Sequence, residues 1–339
     1  MKILIVRVSS LGDVVHNMPM LADIVRHHPG ARIDWVVEEA YTDLVRLNAH
    51  VRDIIPIALR RWRRGLLTAA TRAEMAAFYR RLRQESYDFV FDTQGLLKTG
   101  AVMRMARLAA GGRRVGLANA TEGSGYEPLS RLFHMDSVRV GRHTHAVLRG
   151  RLVAADALGY QIDSATDFSL LAPAGADGAH PIWLSPEPYA VFFHATARAQ
   201  KQWPAARWTR IAQVLAARGL PVLLPWGSEA ERHAAERLAA QMPNARVLPR
   251  LSMMEAVTLA QRAALVIGVD TGLTHIAAAY RRPTVELYCD SPRWKTEGNW
   301  SPQIVNLGDS GAPPAVEEVE AALDALAGIW QKTANGDGV

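Results

Sequence analysis

The chain of 339 residues has a single cysteine, Cys289, so it cannot close a disulfide within itself, which fits a reducing compartment. Nor has it an apolar run near the ~20 residues that cross a bilayer. At the N-terminus Arg7 and Asp13 interrupt the run Ile3-Leu4-Ile5-Val6 too early for a signal peptide, and a soluble cytoplasmic protein is expected. Asp-x-Asp, His-x-x-x-His and cysteine clusters are missing, so neither a metal nor a cofactor is expected. The glycines of a dinucleotide fingerprint are missing after the opening strand, which counts against an NAD enzyme.

What is present is an ordinary globular composition, 49% hydrophobic and 21% charged, which excludes a disordered chain. Its length suits two cores rather than one. The net charge of +6 makes an anionic partner plausible. Arg60, Arg61, Arg63 and Arg64 crowd around Trp62, and such a run is either a solvated face or an anion site. Arginine without lysine favours bidentate contact with carboxylate or phosphate, from nucleic acid, a lipid headgroup or an acidic sugar.

Short β-branched runs alternate with helical stretches, the signature of a parallel, doubly wound α/β sheet. Strands are expected at 2–8, 32–37, 54–57, 88–92 and 113–117, with helices from Gly12 to about His28 and over 71–85. Ala, Pro, Gly and Asp interrupt the pattern at 171–181, and the alternation then restarts. Strands follow at 189–194, 220–225, 264–269 and 284–288, with helices over 208–218, 229–241 and 315–332. The expected organisation is an N-terminal domain over 1–172, a linker over 173–184 and a second domain over 185–312. A last helix over 313–332 packs back toward the N-terminal domain, and the tail 333–339 is frayed.

Ligand sites of open parallel sheets lie beyond the carboxyl ends of strands, and three loops there carry chemistry. In Ser9-Ser10-Leu11-Gly12-Asp13, the carboxylate of Asp13 either complements a helix dipole or serves as a general base. In the second loop, Thr196 and Lys201 precede Trp203-Pro204; the lysine is either a surface residue or a charge against a diphosphate. In the third, Asp270-Thr271-Gly272-Leu273-Thr274-His275 turns a strand into a helix whose first amides suit a pyrophosphate, though Asp270 or Thr271 alternatively caps that helix.

These segments, with Asp34-Trp35-Val36-Val37-Glu38-Glu39, Asp92-Thr93-Gln94-Gly95-Leu96 and Leu224-Pro225-Trp226-Gly227, resemble the lipopolysaccharide heptosyltransferases of glycosyltransferase family 9. The likeness runs from Met1 to about Ile329 and is strongest to the type I branch. It implies a GT-B fold, two Rossmann-like doubly wound domains facing a cleft. It further implies an inverting, metal-independent transfer of L-glycero-D-manno-heptose from ADP-heptose to a Kdo sugar of Kdo2-lipid A. Asp13 would be the base, with Lys201 supporting the reaction. Thr196, Lys201, Glu231, Leu251, Asp270, Thr271, Gly272, Leu273 and His275 would hold the donor, with Glu231 near the nucleoside. Arg60, Arg61, Arg63, Arg64, Gln94 and Lys98 would meet the acceptor, during peripheral visits to the inner leaflet of the cytoplasmic membrane. Tyr126 stands where relatives often carry an arginine. The rivals are a type II transferase and a non-catalytic nucleotide- or lipid-binding relative. Nucleic acid is not an expected partner, for want of a stacking platform or recognition helix.

Overall fold

The computed structural model describes residues 1–173, 184, 187–196 and 198–334. The chain divides into two compact units, Met1–Leu171 and Ala172–Val339. Of the expected linker, 174–183 fall outside the described residues, as do 335–339 of the expected tail.

The N-terminal unit runs β1 (Lys2–Val6), α1 (Leu11–His27), β2 (Arg32–Glu38), α2 (Thr42–Arg46), β3 (Val51–Ile57), α3 (Leu59–Trp62) and α4 (Ala69–Leu82). It continues with β4 (Ser86–Asp92), α5 (Leu97–Met105), β5 (Arg107–Leu117), β6 (Asp136–Val138) and α6 (Ala146–Leu158). Its strands are all parallel, in the order β3-β2-β1-β4-β5-β6. Ile3, Leu4, Ile5 and Val6 are fully buried, as an apolar run in a two-sided parallel strand requires.

The C-terminal unit runs β7 (Ala190–Phe193), α7 (Ala205–Ala217), β8 (Val222–Leu224), α8 (Glu229–Ala239), β9 (Ala245–Val247) and α9 (Met253–Arg262). Then come β10 (Leu265–Val269), α10 (Gly272–Ala279), β11 (Thr284–Tyr288), β12 (Ile304–Gly308) and α11 (Val316–Ala334). Its sheet order is β12-β11-β10-β7-β8-β9, the same winding as the first, again parallel throughout. In each sheet the order reverses between the first and fourth strands, β1/β4 and β7/β10. A crevice opens there past the carboxyl ends.

Three short strands, β6, β9 and β12, and the helices α2, α3, α5, α6 and α9 go beyond the sequence expectation. On α11, Val319, Ala322, Leu323, Leu326 and Trp330 join the core of the C-terminal unit, with Trp208, Leu215, Val285 and Leu287.

Helix α6 escapes an amphipathic reading because its inward face carries charge. Arg151 is 1% exposed and clamps Asp23 of α1, Nε to Oδ2 at 2.6 Å and Nη2 to Oδ1 at 3.1 Å. Its Nη2 also donates to the carbonyls of Asp163 and Ala165. Beside it Gly150 lets the two helices close, since a Cβ there would lie 2.5 Å from Asn17 Oδ1. Deleting one partner of such a pair leaves a buried charge and costs about 3–5 kcal/mol, whereas an apolar replacement of both is close to neutral. Arg151→Met should therefore lower the melting temperature by roughly 10 °C in a unit of this size. The double variant Arg151→Met/Asp23→Leu should recover most of that in a thermal melt; no recovery would mean that the pair is not what holds α6 to α1.

Candidate active site

At the first crevice, the strand ends of β1 and β4 are tied together by polar contacts. Arg7, 3% exposed, donates to the carbonyl of Thr93, and Gln94 Oε1 accepts from the Val8 amide at 3.1 Å. Asp92 shapes the second loop, its Oδ1 accepting from the amides of Gln94 and Gly95 and its Oδ2 from the Thr99 hydroxyl. Gln94, expected on the acceptor, is thus buried with its carbonyl bound to the opposite loop. Lys98 stays exposed, with Nζ 3.4 Å from Ser9 Oγ.

Asp13 sits in the first turn of α1, half-buried, with both carboxylate oxygens engaged. Oδ1 lies 2.5 Å from Arg7 Nη2 and 3.3 Å from Nη2 of Arg149, a buried residue of α6. Oδ2 accepts from the Ser10 amide at 3.1 Å and its hydroxyl at 2.9 Å. Burial alone would raise the carboxyl's pKa; the two guanidinium groups and the Ser10 donors override it and hold it well below the usual carboxylate range. Burial and the charge of Arg7 push Arg149 in turn down to about 10. Asp13 is therefore more than a dipole partner. Arg7, Ser10 and Arg149 are the residues that sequence reasoning missed, although a lone arginine closing a buried strand was a visible signal.

At the second crevice the loops after β7 and β10 meet through Lys201 and Asp270, Nζ to Oδ2 at 2.6 Å. Asp270 also accepts from Ser291 Oγ at 2.6 Å, Thr296 Oγ1 at 3.3 Å and His275 Nε2 at 3.0 Å. The other ring nitrogen of His275 lies 3.1 Å from Oε1 of Glu286, which is fully buried. Burial would lower the pKa of His275, but the flanking carboxylates of Glu286 and Asp270 win and raise it to about 10. Asp270 is held far below its ordinary value against the cost of its burial, chiefly by His275 and then by Lys201. Charges thus alternate along Lys201, Asp270, His275 and Glu286. Asp270 caps nothing: Thr271 is the N-cap of α10 and makes no side-chain cap bond. The first amides of α10, those of Gly272, Leu273 and Thr274, have no partner within the helix.

A cavity of about 500 Å³ lies beside this array in the same unit, lined by His194, Thr196, Trp203, Trp208, Glu231 and Arg237 among others. Glu231 closes a capping box, Oε2 accepting from the amides of Gly227 at 2.7 Å and Ser228 at 3.2 Å. His194 Nε2 is buried with no hydrogen-bond partner, and burial lowers the pKa of the ring. Trp203 is packed, with Nε1 donating to the Pro314 carbonyl at 2.9 Å. Leu251 precedes the α9 cap Ser252 and does not line the cavity.

The arginine run divides. Arg61 is bound by two carboxylates, Glu39 at 3.0 Å and Glu74 at 2.7 Å, and is not an open anion contact. Arg60 donates to Tyr41 Oη at 2.9 Å, while Arg63 and Arg64 are exposed. Among the described residues no group of three or more His, Cys, Asp or Glu side chains is arranged to hold a metal ion.

The depressed carboxyl of Asp13 carries a pH signature. Its folded value lies below the ordinary 3.8, so its ionic contribution is complete above about pH 4 and is lost as the pH falls toward the folded value. Asp13→Asn should flatten the acid limb of the melting temperature against pH between about 4 and 2. An unchanged limb would show that the clamp by Arg7 and Arg149 adds no stability.

The family model for glycosyltransferase family 9 (heptosyltransferase) matches residues 75–324. Lipopolysaccharide heptosyltransferase 1 of Pseudomonas aeruginosa is 40% identical over 289 residues, 85% of this chain and 78% of that protein. The solved structure of E. coli heptosyltransferase WaaC with ADP aligns with a TM-score of 0.83 at 33% identity, over 96% of this chain and 99% of the other. The structure of WaaC with ADP-2-deoxy-2-fluoro heptose aligns at 0.79, with the same identity and coverage. The fold is the expected GT-B fold, and the protein is a glycosyltransferase. The chain belongs to glycosyltransferase family 9, the heptosyltransferases.

Proposed function

We propose that the enzyme moves L-glycero-D-manno-heptose from ADP-heptose to a Kdo residue of Kdo2-lipid A, with inversion and without a metal ion. The observation that carries the assignment of roles is the pairing of each crevice with one kind of chemistry. A clamped carboxylate, Asp13, stands at β1/β4, and a cation beside a helix N-terminus, Lys201 and α10, stands at β7/β10. The donor is supported by the solved relative whose title names an ADP-heptose analogue, and the acceptor by relatives named lipopolysaccharide heptosyltransferase 1.

Inversion follows from a single in-line displacement. The Kdo hydroxyl attacks the anomeric carbon as the ADP oxygen departs from the opposite face, and Asp13 takes the hydroxyl proton. A carboxylate held this low is a weak base toward a free alcohol. The hydroxyl, however, becomes strongly acidic as its bond to carbon forms, so late transfer to an always-ionised Asp13 is favourable. Both of its oxygens are engaged, and the exposed Ser10 hydroxyl is the donor that the substrate hydroxyl would displace. Lys201 and the α10 amides stabilise the charge developing on the departing diphosphate. The cavity lined by His194, Thr196 and Glu231 takes the nucleoside.

Among the described residues no helix is long and apolar enough to cross a membrane. The lipid acceptor instead requires peripheral contact with an anionic leaflet. Exposed Arg63 and Arg64, followed by Leu66 and Leu67 at 53% and 91% exposure, offer charge and apolar area together.

With ADP-heptose and Kdo2-lipid A, Asp13→Asn should lower kcat by ~10²–10⁴ while ADP affinity changes little. Lys201→Ala should weaken ADP binding and kcat together, since it also bares the Asp270 charge. Full turnover in Asp13→Asn would remove it as base. Transfer only to an acceptor that already bears heptose would move the enzyme to the type II reaction. Transfer to neither acceptor would leave a nucleotide- or lipid-binding role.

A further inference from the structure

Glu286 is the most deeply buried member of the alternating charge array. It sits in the middle of β11, fully buried, a costly place for a carboxylate. Its register partners are Gly268 on β10 and Asn306 on β12, so the three form a row across one face of the sheet. Gly268 leaves the space in which α10 approaches, since a Cβ there would lie 2.1 Å from Thr274 Oγ1. Asn306 holds Gly298 through both of that residue's backbone groups, at 3.0 and 2.8 Å. Glu286 Oε2 accepts from Tyr288 Oη at 2.8 Å and the Gly298 amide at 3.0 Å, which leaves Oε1 for His275 at 3.1 Å.

We propose that Glu286 is a positioning residue for donor binding: by holding His275 Nδ1 it keeps the other ring nitrogen donating to Asp270, which fixes Lys201 toward the diphosphate. The argument is geometric. A neutral imidazole has one N–H and can donate to only one of the two carboxylates. The arrangement is satisfied only by a ring protonated on both nitrogens, and Glu286 is the counter-charge that makes this form stable in the interior. Among the described residues, charged groups face the ring from the β10–α10 loop, Asp270, and from β11, Glu286. Lys201 lies beyond the first and the Tyr288 phenol beyond the second. Without Glu286 the ring is free to lose its proton near neutrality, and Asp270 then loses the positive charge of its imidazolium partner and is held by Lys201 and by the hydroxyls of Ser291 and Thr296. The proposal rests on Lys201 meeting the diphosphate.

Two measurements on the full-length protein test it. The first follows the His275 ring nitrogens by NMR in the unmodified protein, where both should remain protonated at pH 8; a neutral tautomer there overturns the proposal without any variant. The second titrates ADP at pH 6 and pH 9 into the unmodified protein, Glu286→Gln and Lys201→Ala. Glu286→Gln should bind within about threefold of the unmodified protein at pH 6 and at least about tenfold more weakly at pH 9, as the protonated fraction of His275 falls. Affinity lost equally at both pH values, or not at all, overturns the positioning role. Unchanged ADP affinity in Lys201→Ala would instead discard the diphosphate contact, while the His275 titration still reports on Glu286 alone.

Discussion

The carboxylate of Asp270 gathers the C-terminal half of the chemistry. It accepts from an ammonium, an imidazolium and two hydroxyls that arrive from the loops after β7, β10 and β11. A buried anion with four donors is tolerable only because all of them are present. It therefore acts as a joint for the segments around it, and the place of Lys201 follows from it. The same principle recurs at Asp13, where Arg7 and Arg149 arrive from the end of β1 and from α6. In both units a carboxylate proposed for the site is also the charge that assembles its own surroundings.

This double use explains what could be read beforehand. The strands were legible because two-sided burial writes continuous apolar runs such as Ile3 to Val6 and Val266 to Val269, and the loops that follow them were then found by position alone. Asp13, Lys201, Asp270 and His275 were named from those positions. Their partners were not, because no sequence spacing links Asp13 to Arg149 or His275 to Glu286. Such pairs are created by sheet order and helix docking. Helix α6 was missed for a related reason: Arg149 and Arg151 face inward, so the pattern that marks an amphipathic helix is reversed by buried ion pairs.

The arginine run shows the opposite case. Four guanidinium groups in five residues read as one anion site, yet the fold gives Arg61 to Glu39 and Glu74 and stacks Arg60 over the Tyr41 ring. Residue type set the affinity for carboxylates, and carboxylates of the protein itself arrived first. Arg63 and Arg64 lie exposed beside two exposed leucines.

The repeated winding of the two sheets has an evolutionary side. Among the described residues, those that hold Asp13 belong to the first unit and those that hold Asp270 belong to the second. Separate sets of residues with no shared partner accumulate changes nearly additively. On the proposed division of roles, a lineage can therefore remodel what the first half accepts while inheriting the second half's nucleotide-sugar machinery intact, which makes the chain a pair of exchangeable parts.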